Sequence, residues 1–228
     1  MKIGLAYAMT GEIESILKST GAPLLETVCG VPFYQIDENI IAYAGGVGKV
    51  NAAMSTQLFI DRYHPDWIIN AGVAGSFLDV PIGTVVLAAD FVQHDVDTSP
   101  MGDPIGLVST VNKLAFPTDG AEELAAILKE LGVEHLTGRV ATGEVFMTKG
   151  ARCDWVAETF HPTLCEMEGG AIAQVCLRNG VKFSALKSVS DRLCHDNNAD
   201  EFFNFGEAMA NLNTVVLPVA KKLSASAD

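Results

Sequence analysis

The chain has 228 residues, 49% apolar and 19% charged, which suffices for a sizeable core and argues against disorder. Its formal net charge of −13 at pH 7 lacks the basic footprint that a nucleic-acid partner needs. No apolar run reaches the roughly 20 residues of a membrane span, so neither nucleic acid nor membrane is an expected partner.

In chain order, Ile3 to Ala8 is a short apolar run that Thr10-Gly11 breaks. Glu12 to Lys18 then has helical spacing through Ile13, Ile16 and Leu17. Thr27 to Ile36 and Asn39 to Ala44 read as strands around a turn at Asp37-Glu38-Asn39. Gly45-Gly46-Val47-Gly48-Lys49 leads into a long helix pattern from Val50 to Tyr63. Trp67 to Ala71 reads as a buried strand running into Gly72-Val73-Ala74-Gly75-Ser76, and Thr84 to Phe91 as another strand. Residues 95–119, broken by Pro100, Gly102, Pro104, Gly106 and Pro117, read as a loop long enough to serve a site or an interface. Helices are predicted at Ala121–Leu131, Lys149–Phe160 and Gly169–Asn179, and strands at Leu136–Thr142 and Phe183–Val189. A terminal helix spans Phe202 to Leu223, where Pro218 is expected to kink it or end it early. Strands alternating with helices predict one α/β domain over residues 1–228, around a mostly parallel or mixed sheet.

The five cysteines, Cys29, Cys153, Cys165, Cys176 and Cys194, are odd in number and form no CxxC. With an N-terminus that enters a strand pattern at once and no signal peptide, they predict free thiols and a cytoplasmic location. His94 and His195 lie near acids, but nothing has zinc-site spacing and no metal is expected.

Three carboxylates stand among small residues with no basic phosphate site beside them: Glu12, Glu168 and Asp191. Ligands of open α/β sheets bind at the carboxyl ends of the strands. Acids converging there suggest acid/base work on a neutral or electron-deficient substrate, because an anion would be repelled. Plainer readings exist: Glu166 and Glu168 suit a helix N-terminus, and Asp191 could be an N-cap. The glycines at 45–48 fit neither a phosphate loop nor a GxGxxG fingerprint. They are either a tight turn or a place where backbone approaches a small ligand. Gly72-Val73-Ala74-Gly75 divides between close packing and ligand contact, and Phe146 between a core ring and one that stacks on a planar base.

Taken together these segments resemble the bacterial 5'-methylthioadenosine/S-adenosylhomocysteine nucleosidases of the nucleoside phosphorylase-I superfamily. The carriers are Ala8-Met9 with Glu12, Gly46-Val47-Gly48-Lys49-Val50, Ile68-Ile69-Asn70-Ala71-Gly72, His94-Asp95-Val96-Asp97, Thr142-Gly143-Glu144-Val145-Phe146, Glu166-Met167-Glu168, Ser190-Asp191 and Asp200-Glu201-Phe202, in the family's order. The resemblance implies a single-domain α/β sandwich around a mixed central sheet, a homodimer and no cofactor. It implies hydrolysis of the N-glycosidic bond of an adenine nucleoside, through a transition state like an oxocarbenium ion. Asp191 matches the general acid that protonates N7, Glu12 the residue that activates water, and Glu168 the one that holds the ribose hydroxyls with Met167 packed on the sugar. The Met147 backbone is expected to read the adenine edge while Phe146 stacks. Met9 and Val47 should line the ribose and 5' region, and Met101 should reach that region from a partner subunit. Val73, Glu166 and Ser190 complete the expected binding set.

The chain departs from the family pattern at several places. Val73 replaces a usual Ser or Thr, and Lys187 replaces an Arg and loses its planar fork. The 192–198 loop looks shortened, and Ala199 stands where a Phe usually covers the 5' group. Two rival functions remain at this level: a phosphate-using phosphorylase of the same superfamily, and a non-catalytic nucleoside-binding protein. The acidic Met9-to-Glu12 loop disfavours the first. The coexistence of a proton donor and a water base disfavours the second.

Overall fold

The computed structural model describes residues 1–193 and 203–226. Its elements run β1 (Ile3–Tyr7), α1 (Thr10–Thr20), β2 (Leu24–Val28), β3 (Val31–Asp37), β4 (Ile40–Ala44), α2 (Lys49–Tyr63), β5 (Trp67–Ser76) and β6 (Val85–Gln93). Then follow β7 (Phe116–Pro117), α3 (Ala121–Glu130), β8 (His135–Thr142), α4 (Ala151–Phe160), β9 (Leu164–Glu166), α5 (Gly169–Asn179), β10 (Lys182–Arg192) and α6 (Phe205–Ala225).

The strands form one mixed sheet in the order β10-β6-β8-β9-β5-β1-β4-β3-β2. β5 also pairs in parallel with β10, so five strands close on themselves while β1, β4, β3 and β2 extend as an open wing. The sheet's alternation sends Ile3, Leu5 and Tyr7 of β1 to one core, with Ile69, Leu186 and the buried face of α6. Ala6, Ile68 and Ala185 face the other core, with Phe59 of α2 and Ile172 of α5. A smaller cluster packs Cys153, Val156 and Phe160 of α4 against Val92, Ala141, Met147 and Leu193. Among the described residues, no helix is long and apolar enough to cross a membrane.

Several boundaries differ from the sequence reading. The run from Thr27 to Ile36 is two antiparallel strands, because Cys29 (φ 51°) and Gly30 (φ 80°) make a tight left-handed turn. β5 continues through Gly72-Val73-Ala74-Gly75 instead of stopping there, since β10 pairs with it as far as Ser76. β10 likewise carries Asp191 within the strand, with a bulge between Val189 and Asp191. The 95–119 segment is not wholly irregular: it holds short 3-10 turns at Ser99–Met101 and Ser109–Val111, and β7 pairs with β6. α6 runs through Pro218 without ending. Its buried Val215, Val216, Val219 and Leu223 are each worth about 1.5–3 kcal/mol, against the roughly 3 kcal/mol an interior proline costs. Phe202, Ala199, Asp200-Glu201 and the 194–198 part of the loop lie outside the described residues.

Candidate active site

The carboxyl ends of the strands converge on a cavity of about 240 Å³. Ala8, Met9 and Glu12 reach it from the end of β1, Val47 from the end of β4, and Val73, Ala74 and Gly75 from β5. Val145, Phe146 and Met147 follow β8, Cys165 to Glu168 come from β9 and the start of α5, and Ser190, Asp191 and Leu193 end β10. Every residue that the resemblance assigned to catalysis or binding lines this cavity except Met101, which is 84% exposed on the Ser99–Met101 turn. Among the described lining residues there is no Lys, Arg or His, and four are acids.

Local structure explains how each acid is held. Glu12 is the third residue of α1, and its Oε2 accepts the backbone N–H groups of Ala8 and Met9, at 2.9 Å each. A glutamate at this position reaches back to satisfy donors that a helix start leaves free. Its Oε1 accepts a longer bond from the Val73 N–H at 3.4 Å. Burial raises the Glu12 pKa, opposed chiefly by the Met9 N–H and the Lys187 cation. Asp191 accepts a hydrogen bond from the Ser190 hydroxyl at 2.7 Å, and burial raises its pKa against that bond. The bulge in β10 lets the adjacent Ser190 and Asp191 both line the cavity, which strict alternation would forbid. Asp191 therefore caps no helix.

Glu168 stands at the N-cap of α5, and its Oε1 accepts the Gly48 N–H at 2.8 Å. Its pKa is pushed up to about 7, first by burial and then by the neighbouring Glu166 charge, with Lys187 and the Gly48 N–H opposing. The glycines of β5 make room for two of these acids. A Cβ on Gly72 would lie 2.7 Å from Glu12 Oε1, and one on Gly75 would lie 2.9 Å from Asp191 Oδ2.

Glu166 lines the cavity, but its carboxylate is taken up by the protein. One oxygen accepts the Lys187 ammonium at 3.0 Å and the N–H groups of Glu168 and Gly169 at 3.1 and 2.7 Å; the other accepts the Thr142 hydroxyl. Lys187 is itself buried, at 2% exposure, so it is an internal counter-ion and not a free phosphate ligand. Burial pushes the Cys165 thiol pKa up, which makes it part of the wall and a poor nucleophile.

Sequence reasoning missed Phe203, which lines the cavity and meets Phe146 edge-on with ring centroids 5.7 Å apart. The next residue, Asn204, donates its N–H to Ser190 O at 2.8 Å, tying the start of α6 to the strand that carries Asp191. The aromatic run at Phe202-Phe203 was the only signal for it. Among the described residues, no group of three or more His, Cys, Asp or Glu is placed to hold a metal ion.

Three buried acids with raised pKa values, Glu12, Glu168 and Asp191, in a cavity walled mostly by apolar groups and backbone, suit proton transfer to a neutral planar ligand. The phosphorylase superfamily model matches residues 2–223. A 5'-methylthioadenosine/S-adenosylhomocysteine nucleosidase of Shewanella halifaxensis is 37% identical over 211 residues, 88% of this chain and 90% of the relative. Among solved structures, the S-adenosylhomocysteine nucleosidase of Streptococcus pyogenes, in complex with 5-methylthiotubericidin, superposes with a TM-score of 0.86 at 30% identity, covering 98% of this chain and 97% of that one. The futalosine hydrolase of Helicobacter pylori superposes with a TM-score of 0.81 at 28% identity, covering 98% and 96%. The chain belongs to the 5'-methylthioadenosine/S-adenosylhomocysteine nucleosidase family of the phosphorylase superfamily.

Proposed function

We propose that the chain hydrolyses the N-glycosidic bond of 5'-substituted adenine nucleosides, 5'-methylthioadenosine and S-adenosylhomocysteine foremost, to adenine and a 5-substituted ribose. The observation that carries this reading is the cavity itself: Glu12, Glu168 and Asp191 converge on it, and no cation among the described residues lines it. Asp191, held towards its protonated form by burial, gives its proton to adenine N7. The C1'–N9 bond breaks with its electron pair going to the base, and positive charge develops on the sugar. The ring of carboxylates stabilises that charge. Water attacks C1' and passes a proton to Glu12, whose two backbone N–H bonds at 2.9 Å favour its charged, accepting form. Glu168 accepts hydrogen bonds from the ribose hydroxyls, with Met167 against the sugar. Phe146 and Phe203 enclose the base and the 5' end, with the Met147 backbone on the base edge and Met9, Val47 and Val73 along the sugar. Glu166 acts through its neighbours by holding the start of α5 and the Lys187 ammonium.

The exposed Met101 turn completes the 5' pocket of a second copy, in a homodimer located in the cytoplasm. The test is adenine release in phosphate-free buffer from methylthioadenosine, adenosylhomocysteine, 5'-deoxyadenosine and an aminodeoxyfutalosine-like nucleoside. Release without phosphate is expected. Dependence on phosphate, with ribose-1-phosphate as product, would assign the chain to the phosphorylases instead.

A further inference from the structure

We infer that Lys49 is a positioning residue, the centre of a clasp that keeps the sugar side and the base side of the cavity in register. The inference rests on the nucleosidase reading and adds a residue to it. Lys49 opens α2, and its ammonium bonds Asp95 Oδ1 at 2.6 Å and Gln93 Oε1 at 3.2 Å at the end of β6. Asp95 uses its other oxygen to accept the Glu144 N–H at 2.9 Å, and Glu144 returns a carboxylate oxygen to the Lys49 N–H at 2.7 Å. Gln93 continues the chain to Gln174 of α5 at 2.8 Å.

Four separate pieces of backbone are thus joined in one network centred on Lys49, and two of them, the Val47-Gly48 turn and the segment after Glu144, adjoin residues that line the cavity. These two carry proposed substrate contacts. The residue before Lys49 is Gly48, whose N–H holds Glu168 Oε1. The residues after Glu144 lead to Phe146 and Met147. Gly48 has φ 93°, and a Cβ there would lie 2.6 Å from Glu144 Oε2, so the turn and the acid are packed directly together. The Lys49 and Asp95 side chains are each only 18% exposed. Such a pair is screened less than a surface ion pair, and its value lies in fixed geometry more than in net stability.

The experiment is a double-mutant cycle between Lys49→Met and Glu168→Gln, with adenine release as the readout and Lys49→Arg as the conservative variant. Lys49→Met is expected to lower kcat/KM by about 10- to 100-fold, mainly through a raised KM, because misplacement of holding groups by about 1 Å costs on that order. In the Glu168→Gln background the same change should cost less than about threefold, as coupled neighbours are not additive. Lys49→Arg should recover most of the loss. Equal losses in both backgrounds, or a loss that Lys49→Arg leaves untouched, would overturn the inference in favour of a merely structural ion pair. If Lys49→Met does not fold, Asp95→Asn takes its place in the cycle with the same criteria. Should wild type release no adenine from any nucleoside, the functional reading fails by itself. Calorimetric binding of adenosine across the same cycle then decides the clasp separately.

Discussion

Glu168 offers a test in which function and stability move in opposite directions. Its carboxyl sits at about 7 in the folded protein instead of the ordinary 4.5. A raised carboxyl binds its proton more tightly folded than unfolded, so stability is highest below about pH 4.5 and falls as pH rises towards 7. The full penalty above pH 7 is about 3 kcal/mol, at 1.36 kcal/mol for each pH unit. Glu168→Gln removes the ionisation but keeps an oxygen able to accept the Gly48 N–H. The stability of the variant relative to wild type should therefore improve by about 2–3 kcal/mol between pH 5 and pH 8. That corresponds to roughly 5–10 °C in the midpoint difference for a chain of this size. Any constant offset from the amide cancels, because the observable is the pH dependence of the difference. So does the raised Asp191, which both proteins share and whose shift comes from burial against its Ser190 hydrogen bond. Urea unfolding at the two pH values measures it, at one fixed protein concentration so that any self-association is held constant. The variant should at the same time lose most nucleosidase activity. A stability difference that stays flat from pH 5 to pH 8 would refute the burial argument for Glu168.

Two further substitutions address the other acids. Asp191→Asn should lower kcat on adenine nucleosides by about 10²–10⁴-fold with binding little changed, and should affect a nitrophenyl riboside much less, since that leaving group needs no protonation; near wild-type cleavage of methylthioadenosine would remove Asp191 from the proton-donor role. Gly72→Ala places a methyl group 2.7 Å from Glu12 Oε1, whose partner oxygen is pinned by two backbone N–H groups. Activity should fall by at least about tenfold while the circular dichroism spectrum is kept, and unchanged turnover would mean that Glu12 need not be held where it is.

The alternation of apolar strands with helical patterns was enough for the α/β class, because burying a sheet between helices is what such periodicity can do. The acids were legible too, since Glu12, Glu168 and Asp191 stand out among small residues in an otherwise apolar context. Periodicity could not reach the closure of β5 onto β10, because that pairing joins segments more than a hundred residues apart. The closure in turn carries the strand through Gly72-Val73-Ala74-Gly75, where composition alone suggested a stop. Nor could sequence choose between a ligand loop and tight packing for those glycines. Only the fold brings Glu12 and Asp191 against Gly72 and Gly75, so that the missing side chains become room for carboxylates. Glu166 and Glu168 look equivalent two residues apart in sequence. Tertiary structure separates them: Lys187, Thr142 and the first amides of α5 consume one carboxylate, whereas the other is left facing the cavity and raised first by burial and then by the charge of its neighbour. The residue types were therefore written in the chain, but which acid is neutral, which is paired and which is free for chemistry depends on distances that only packing sets.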